Sequence, residues 1–109
     1  MNQQISKSGE YTVVHLGSRI DTTNAAEFEA QVTGLLDGGV SKLILDCAGL
    51  SYISSSGLRV FLVVQKRMTQ LGGQFRLYGL QPAIREIFDI SGFTTILSVF
   101  PDLASALNG

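Results

Sequence analysis

The chain is expected to fold as an α/β protein, one domain over residues 1–109 with helices packed on a mixed central sheet. Three observations predict this. After the first strand, segments rich in β-formers alternate with segments of helical periodicity, an order that implies crossover connections. Leu43, Ile44 and Leu45 form a short unbroken apolar run, as a central strand covered on both faces does. Glycine and proline punctuate the apolar runs at the places where one element should give way to the next.

Tyr11 to Leu16 is rich in β-formers and predicts the first strand. Gly17 to Asp21 is a turn-like passage carrying the apolar Ile20. Asn24 or Thr23 can cap the helix that follows, and Glu27 stands three residues after Asn24, as in a capping box. Ala25, Phe28, Val32, Leu35 and Leu36 then recur at helical spacing, and Asp37-Gly38-Gly39 stops the helix. Lys42 to Cys47 is a strand, and Ala48 to Ser55 a loop with Leu50, Tyr52 and Ile53 embedded in it. A second helix should run from about Ser56 to Leu71 and end at Gly72-Gly73. Gln74 to Tyr78 predicts another strand. Pro82 suits the first turn of a third helix, in which Ile84, Ile87 and Phe88 share a face and which Gly92 ends. Thr94 to Val99 predicts a last strand, and Pro101 opens a final helical turn or two.

Composition narrows the function. The net charge is −1 and charged residues make up only 16% of the chain, so there is no basic excess to grip nucleic-acid phosphates. No apolar stretch approaches the roughly 18 residues that suggest a membrane span, and the polar start MNQQISKSGE lacks a signal-peptide centre. These features fit a soluble cytoplasmic protein with neither nucleic acid nor membrane insertion in its chemistry. No Cys/His cluster, calcium loop or phosphate-cradling glycine loop is present, so no metal or cofactor is expected. The single cysteine, Cys47, excludes an internal disulfide and is expected to be a small core residue.

The densest polar cluster is Ser54-Ser55-Ser56, followed by Gly57. It lies between a buried strand and a helix, where α/β sheets tend to carry sites. Two readings are open. A serine here can simply cap the helix. Alternatively it is functional, because a phosphate placed there would lie near unpaired helix N–H groups and be tolerated by the fold. A hydrolase is disfavoured: the only histidine, His15, is expected on the first strand, far in sequence from these serines, and no Gly-x-Ser-x-Gly elbow is present. In the helix after the serines, Leu58, Phe61, Leu62, Met68 and Leu71 make one stripe and Val60, Val63 and Val64 a second. That helix is either buried on both stripes, or its valine side, flanked by Arg59, stays partly exposed as a docking patch.

The stretch LILDCAGLSYISSSGLRVFLVVQKRMTQLGGQFRLYGLQPAIREIFDISGF resembles the STAS domain, specifically bacterial anti-sigma factor antagonists. The upstream HLGSRIDTTNAAEFEAQV is similar to that family's Leu-x-Gly-x-(Ile/Leu)-Asp passage and first helix. The resemblance implies partner switching. The unmodified protein binds an anti-sigma factor that is also a serine kinase, phosphorylation blocks binding, and a metal-dependent serine phosphatase resets the switch. The family pattern Asp-Ser-Ser-Gly-Leu falls on Ser54, Ser55, Ser56, Gly57 and Leu58, which makes Ser56 the implied acceptor and Ser55 the second choice. Two departures stand out: Ser54 replaces the family aspartate, and Arg59 replaces a small residue. Arg59 is suited to pair with a phosphate or to select a different partner. Asp21 matches the family aspartate before the first helix, where it caps that helix or lines the partner surface. The expected partner surface is therefore Asp21, Ser54, Ser55, Ser56, Gly57, Arg59, Val60 and Val63, on a protein that is not an enzyme; the sequence leaves its oligomeric state open, with a monomer favoured. The rival reading is an unphosphorylated STAS scaffold, or a nucleotide- or small-molecule-binding module, in a non-sigma pathway.

Overall fold

The computed structural model describes residues 3–109. A five-stranded mixed sheet forms the centre, built from β1 (Gln4–Ser8), β2 (Tyr11–His15), β4 (Lys42–Asp46), β6 (Gln74–Tyr78) and β7 (Ser98–Phe100), in that spatial order. Strand β1 runs antiparallel to β2, and the other neighbours are parallel. The expected α/β class is the one the structure has. A separate two-stranded parallel pair, β3 (Arg19–Ile20) with β5 (Tyr52–Ile53), lies outside this sheet.

Helices α1 (Ala25–Asp37), α2 (Ser55–Leu71) and α3 (Pro82–Ile90) cover one face. There Val14, Leu43, Leu45, Phe75 and Leu77 from the strands meet Phe28, Val32, Phe61, Val64, Ile84 and Phe88 from the helices. Four rings run through this core, with centroids 5.9 Å apart for Phe28–Phe61, 5.4 Å for Phe61–Phe88 and 5.7 Å for Phe88–Phe93. Among the described residues only the short α4 (Leu103–Asn108) packs on the other face, against Tyr11, Val13 and Ile44. Both faces of β4 are thus covered, which is why its sequence does not alternate. Cys47 is fully buried in the larger core, and burial pushes its thiol pKa up, away from reactivity.

Several sequence expectations shift. The polar N-terminal segment forms β1, because Gly9 takes a left-handed φ of 60° and closes a tight hairpin between Ser8 and Tyr11. Gln3 ties the start of this strand to α1 through two hydrogen bonds with Gln31, of 2.8 and 2.7 Å. The passages around Ile20 and Tyr52, expected as turn and loop, pair with each other instead. The last strand starts later than expected, at Ser98, because residues Phe93–Thr95 turn as a 3₁₀ helix. The expected capping box at the start of α1 does not form: the Asn24 side chain makes no cap and turns back to bridge Asp21 N and Arg19 O, at 2.8 and 3.0 Å. A capping box occurs in α4 instead, between Asp102 and Ser105. The glycine stop of α2 is as expected: Gly72 adopts φ 70° and its N–H returns to Met68 and Thr69 carbonyls.

Candidate functional site

The short β3–β5 pair brings two distant chain segments to one place. Ser18 O accepts from Ser51 N at 2.8 Å, and Ile20 O accepts from Ser54 N at 2.8 Å. Since Ile20 pairs with Ile53, the next position along each strand places Asp21 beside Ser54. The Arg19 guanidinium lies 4.7 Å over the Tyr52 ring and adds a cation–π contact to this pair.

Ser54 is the N-cap of α2. Its backbone is extended (φ −89°, ψ 172°), and its Oγ accepts from Gly57 N at 3.2 Å. The helix therefore begins at Ser55, one residue before the sequence expectation, and the capping function belongs to Ser54 rather than to the implied acceptor. An aspartate at this position would cap in the same way, so the departure at Ser54 keeps the cap and removes only its charge. Ser55 is exposed at the first helical position. Ser56, at the second, is half-buried and lines an open groove of about 570 Å³ between α1 and α2, together with Thr22, Ala26, Glu29, Thr33 and Arg59. Among the described residues no hydrogen bond engages the Ser56 hydroxyl, which leaves it free for chemistry.

Two of the sequence-derived contact residues need correction. Val60 is fully buried, as is Val64, so two of the three valines face the core and only Val63, half-buried, keeps an accessible edge. The inward stripe is Gly57, Val60, Phe61, Val64 and Met68, at helical spacing, while Leu58, Leu62 and Val63 are half-buried beside it. Gly57 is buried too, because the helix mouth sits directly on the β3–β5 pair. A Cβ there would lie 2.7 Å from Ile20 Cγ2 and 2.8 Å from Ile53 Cγ1, so glycine is required for this close approach. The accessible remainder is Asp21, Ser54, Ser55, Ser56, Arg59 and Val63.

Asp21 organises the turn into α1. Its Oδ1 accepts from Thr23 N at 2.9 Å and from Thr23 Oγ1 at 2.5 Å, and its Oδ2 from Arg19 Nε at 3.1 Å. Its backbone carbonyl accepts from Ala25 N at 2.9 Å. The Thr23 bonds, with a smaller contribution from Arg19, lower its pKa to about 2, so it is a fixed anion at neutral pH. Arg59 reaches across the groove to Glu29 of α1, Nη2 to Oε1 3.2 Å.

The structure also assembles a group that sequence order conceals. His15 Nδ1 lies 2.7 Å from Asp46 Oδ2, and His15 Nε2 lies 2.7 Å from Ser6 Oγ. A carboxylate only accepts, so Nδ1 carries the proton shared with Asp46, while Nε2 and the Ser6 hydroxyl form the second bond. The serine that His15 engages is Ser6, not one of the α2 serines. The connectivity is that of a Ser-His-acid chain. Its members stand side by side because His15, Asp46 and Tyr78 occupy one register row across β2, β4 and β6. Burial acts to raise the Asp46 pKa, but bonds from Ala48 N–H, His15 and Tyr78 outweigh it and hold the carboxyl low. Burial and the bond to Asp46 push the Tyr78 phenol up to about 12. The row laces the edge strand β1 to the sheet centre. The glycine turn after QISKS was the available sequence signal for that strand, because its residues show no apolar alternation.

Comparison with known proteins decides the family: the STAS domain model matches residues 2–106. The chain belongs to the STAS domain family. STAS relatives share the fold as well as the sequence. A Bordetella bronchiseptica protein, BtrV, whose name places it among the anti-sigma factor antagonists, is 44% identical over 82 residues, 75% of this chain and 68% of its own length. A crystal structure of an anti-sigma factor antagonist from Thermotoga maritima superposes with a TM-score of 0.91, covering 97% of this chain and 92% of its own at 18% identity. SpoIIAA of Bacillus in its phosphorylated form superposes with a TM-score of 0.74 at 22% identity, covering 97% of this chain and 96% of its own. No helix among the described residues is long and apolar enough to cross a membrane.

Proposed function

We propose that this STAS protein is a partner-switching regulator of the anti-sigma factor antagonist type, with Ser56 as the modified residue. The unmodified form binds a cognate anti-sigma factor that is also a serine kinase. The kinase moves the γ-phosphoryl of ATP onto Ser56 Oγ, releasing ADP and the hydroxyl proton. A metal-dependent serine phosphatase hydrolyses the ester with water and restores the binding form.

The observation that carries this reading is the placement of Ser56: an unengaged hydroxyl in the first turn of a helix whose own cap is supplied by a different residue, Ser54. Modifying Ser56 therefore leaves the cap and the buried stripe in place. A phosphate adds about −1.5 to −2 charges at neutral pH. Trapping that charge unpaired in a contact costs on the order of a few kcal/mol, and each ~1.4 kcal/mol is tenfold in affinity. Switching thus needs no refolding. The existence of a phosphorylated form of the Bacillus neighbour supports the same chemistry on this fold.

The docking surface is taken to be Asp21, Ser54, Ser55, Ser56 and Arg59, with Val63 at its margin. The test is to incubate the protein with its kinase and ATP and map the phosphate by mass spectrometry. Wild type should be labelled at Ser56 and Ser56→Ala should not; equal labelling of the two rejects Ser56. Ser56→Asp should weaken kinase binding about tenfold or more while circular dichroism and melting stay near wild type.

A further inference from the structure

We propose that Arg59 is the internal receptor for the phosphate on Ser56, so that phosphorylation trades the Arg59–Glu29 ion pair for an Arg59–phosphoserine pair. This inference rests on the modification of Ser56 argued above and concerns what the modified groove becomes.

Ser56 and Arg59 are three residues apart on α2, the spacing at which side chains neighbour one another on a helix face. Both line the α1–α2 groove, and the charged side chains lining it are Glu29 from α1 and Arg59 from α2. In the unmodified protein these two pair at 3.2 Å, which closes a charge-neutral link across the groove. The Arg59 side chain is 66% exposed against 31% for Glu29, so the arginine is the partner free to swing.

A phosphate arriving on Ser56 changes the competition for Arg59. Glu29 offers a single negative charge, whereas phosphoserine offers nearly two and three acceptor oxygens suited to a guanidinium fork. The phosphate also repels Glu29 across the same groove. Arg59 therefore turns along its own helix to the phosphate, and Glu29 is left as an uncompensated anion on α1. Phosphorylation then alters two surfaces. The α2 mouth carries a partly neutralised phosphate, and α1 exposes a carboxylate that the unmodified protein kept paired. A partner that bridges both helices meets both changes. Arg59, the residue that departs from the family pattern, thereby acquires a function specific to this chain.

The test does not depend on any kinase. Phosphoserine is installed at position 56 during translation, and its second ionisation is followed by phosphorus NMR. A nearby cation favours the dianion, so Arg59→Ala should raise that pKa by roughly half a unit relative to the wild-type phosphoprotein. Glu29→Gln should lower it, Arg59→Lys should keep part of the wild-type effect, and 1 M salt should shrink the differences. Circular dichroism on each variant confirms the fold, with Arg59→Gln as substitute if the alanine variant does not fold. An unchanged pKa in Arg59→Ala, or in Arg59→Gln where it substitutes, overturns the exchange, even if a kinase does phosphorylate Ser56. Conversely, a kinase that ignores Ser56 overturns the switch reading while the measured exchange stands.

Discussion

Ser54, Ser55 and Ser56 are consecutive in the chain, whereas Ser6, His15 and Asp46 come from three strands and meet only in the folded sheet. The first group leaves Ser56 unengaged in an open groove. The second ties its serine into a chain of short hydrogen bonds that continues to Tyr78. By connectivity alone the second group looks like the reactive one, yet its bonds join neighbouring strands. The first makes few bonds, and that is what suits it to modification: a hydroxyl already committed to structure cannot be altered without loosening what it holds.

This contrast can be broken most severely at Gly57. Replacement by Val drives a side chain into Ile20 and Ile53, whose carbons would lie only 2.7 and 2.8 Å from the new Cβ. Gly57→Val should cost about 1–3 kcal/mol and lower the melting temperature. A variant that melts like wild type would show that the helix mouth is not seated on the β3–β5 pair. Next in size is the cap. Ser54→Ala should cost ~1 kcal/mol, whereas Ser54→Asp should lie within a few tenths of wild type, because aspartate caps equally well and suits the positive helix end. Equal melting of all three would remove the capping role assigned to Ser54.

The sheet row is sharpened by His15→Ala, which withdraws one donor from Asp46 and releases Ser6. A loss of about 0.5–1 kcal/mol is expected. Amide exchange should quicken in β1 and stay unchanged in α2; equal quickening in both would mean the row does not act locally. The smallest effect is acid sensitivity at Asp21. Its folded pKa of about 2 lies below the ordinary carboxyl value of 3.8, so its stabilisation is present above that value and is lost as pH falls toward 2. In Asp21→Asn, melting temperature should depend less steeply on pH between about 4 and 2; an unchanged slope would remove Asp21 from the acid response.

Much of this architecture was legible in the chain. The Gly72 stop, Pro82 at the head of α3 and the non-alternating β4 follow from rules that act over a few residues. The serine cluster was visible for the same reason. Errors arose where a local signal lost to docking. Asn24 had capping chemistry but was drawn back to Arg19 and Asp21. The valine stripe of α2 was open to burial or to partial exposure, and Val60, set down as a contact residue on the second reading, lies with Val64 against the core, beside Phe61. Periodicity specifies which residues share a stripe, not which of two adjacent apolar stripes meets the sheet.

The sequence by itself determined the α/β class, the positions of the main helices and the serine cluster at the mouth of α2, because each depends on propensities, caps and turns within a few residues. The tertiary structure decided which hydroxyl is free. It made Ser54 the cap, set Gly57 against Ile20 and Ile53, and paired Arg59 with Glu29 across 30 residues of chain. It likewise brought His15 to Asp46 across 31 residues. Contacts at such separations depend on strand register and helix docking, which many side chains settle jointly and no short stretch of sequence encodes.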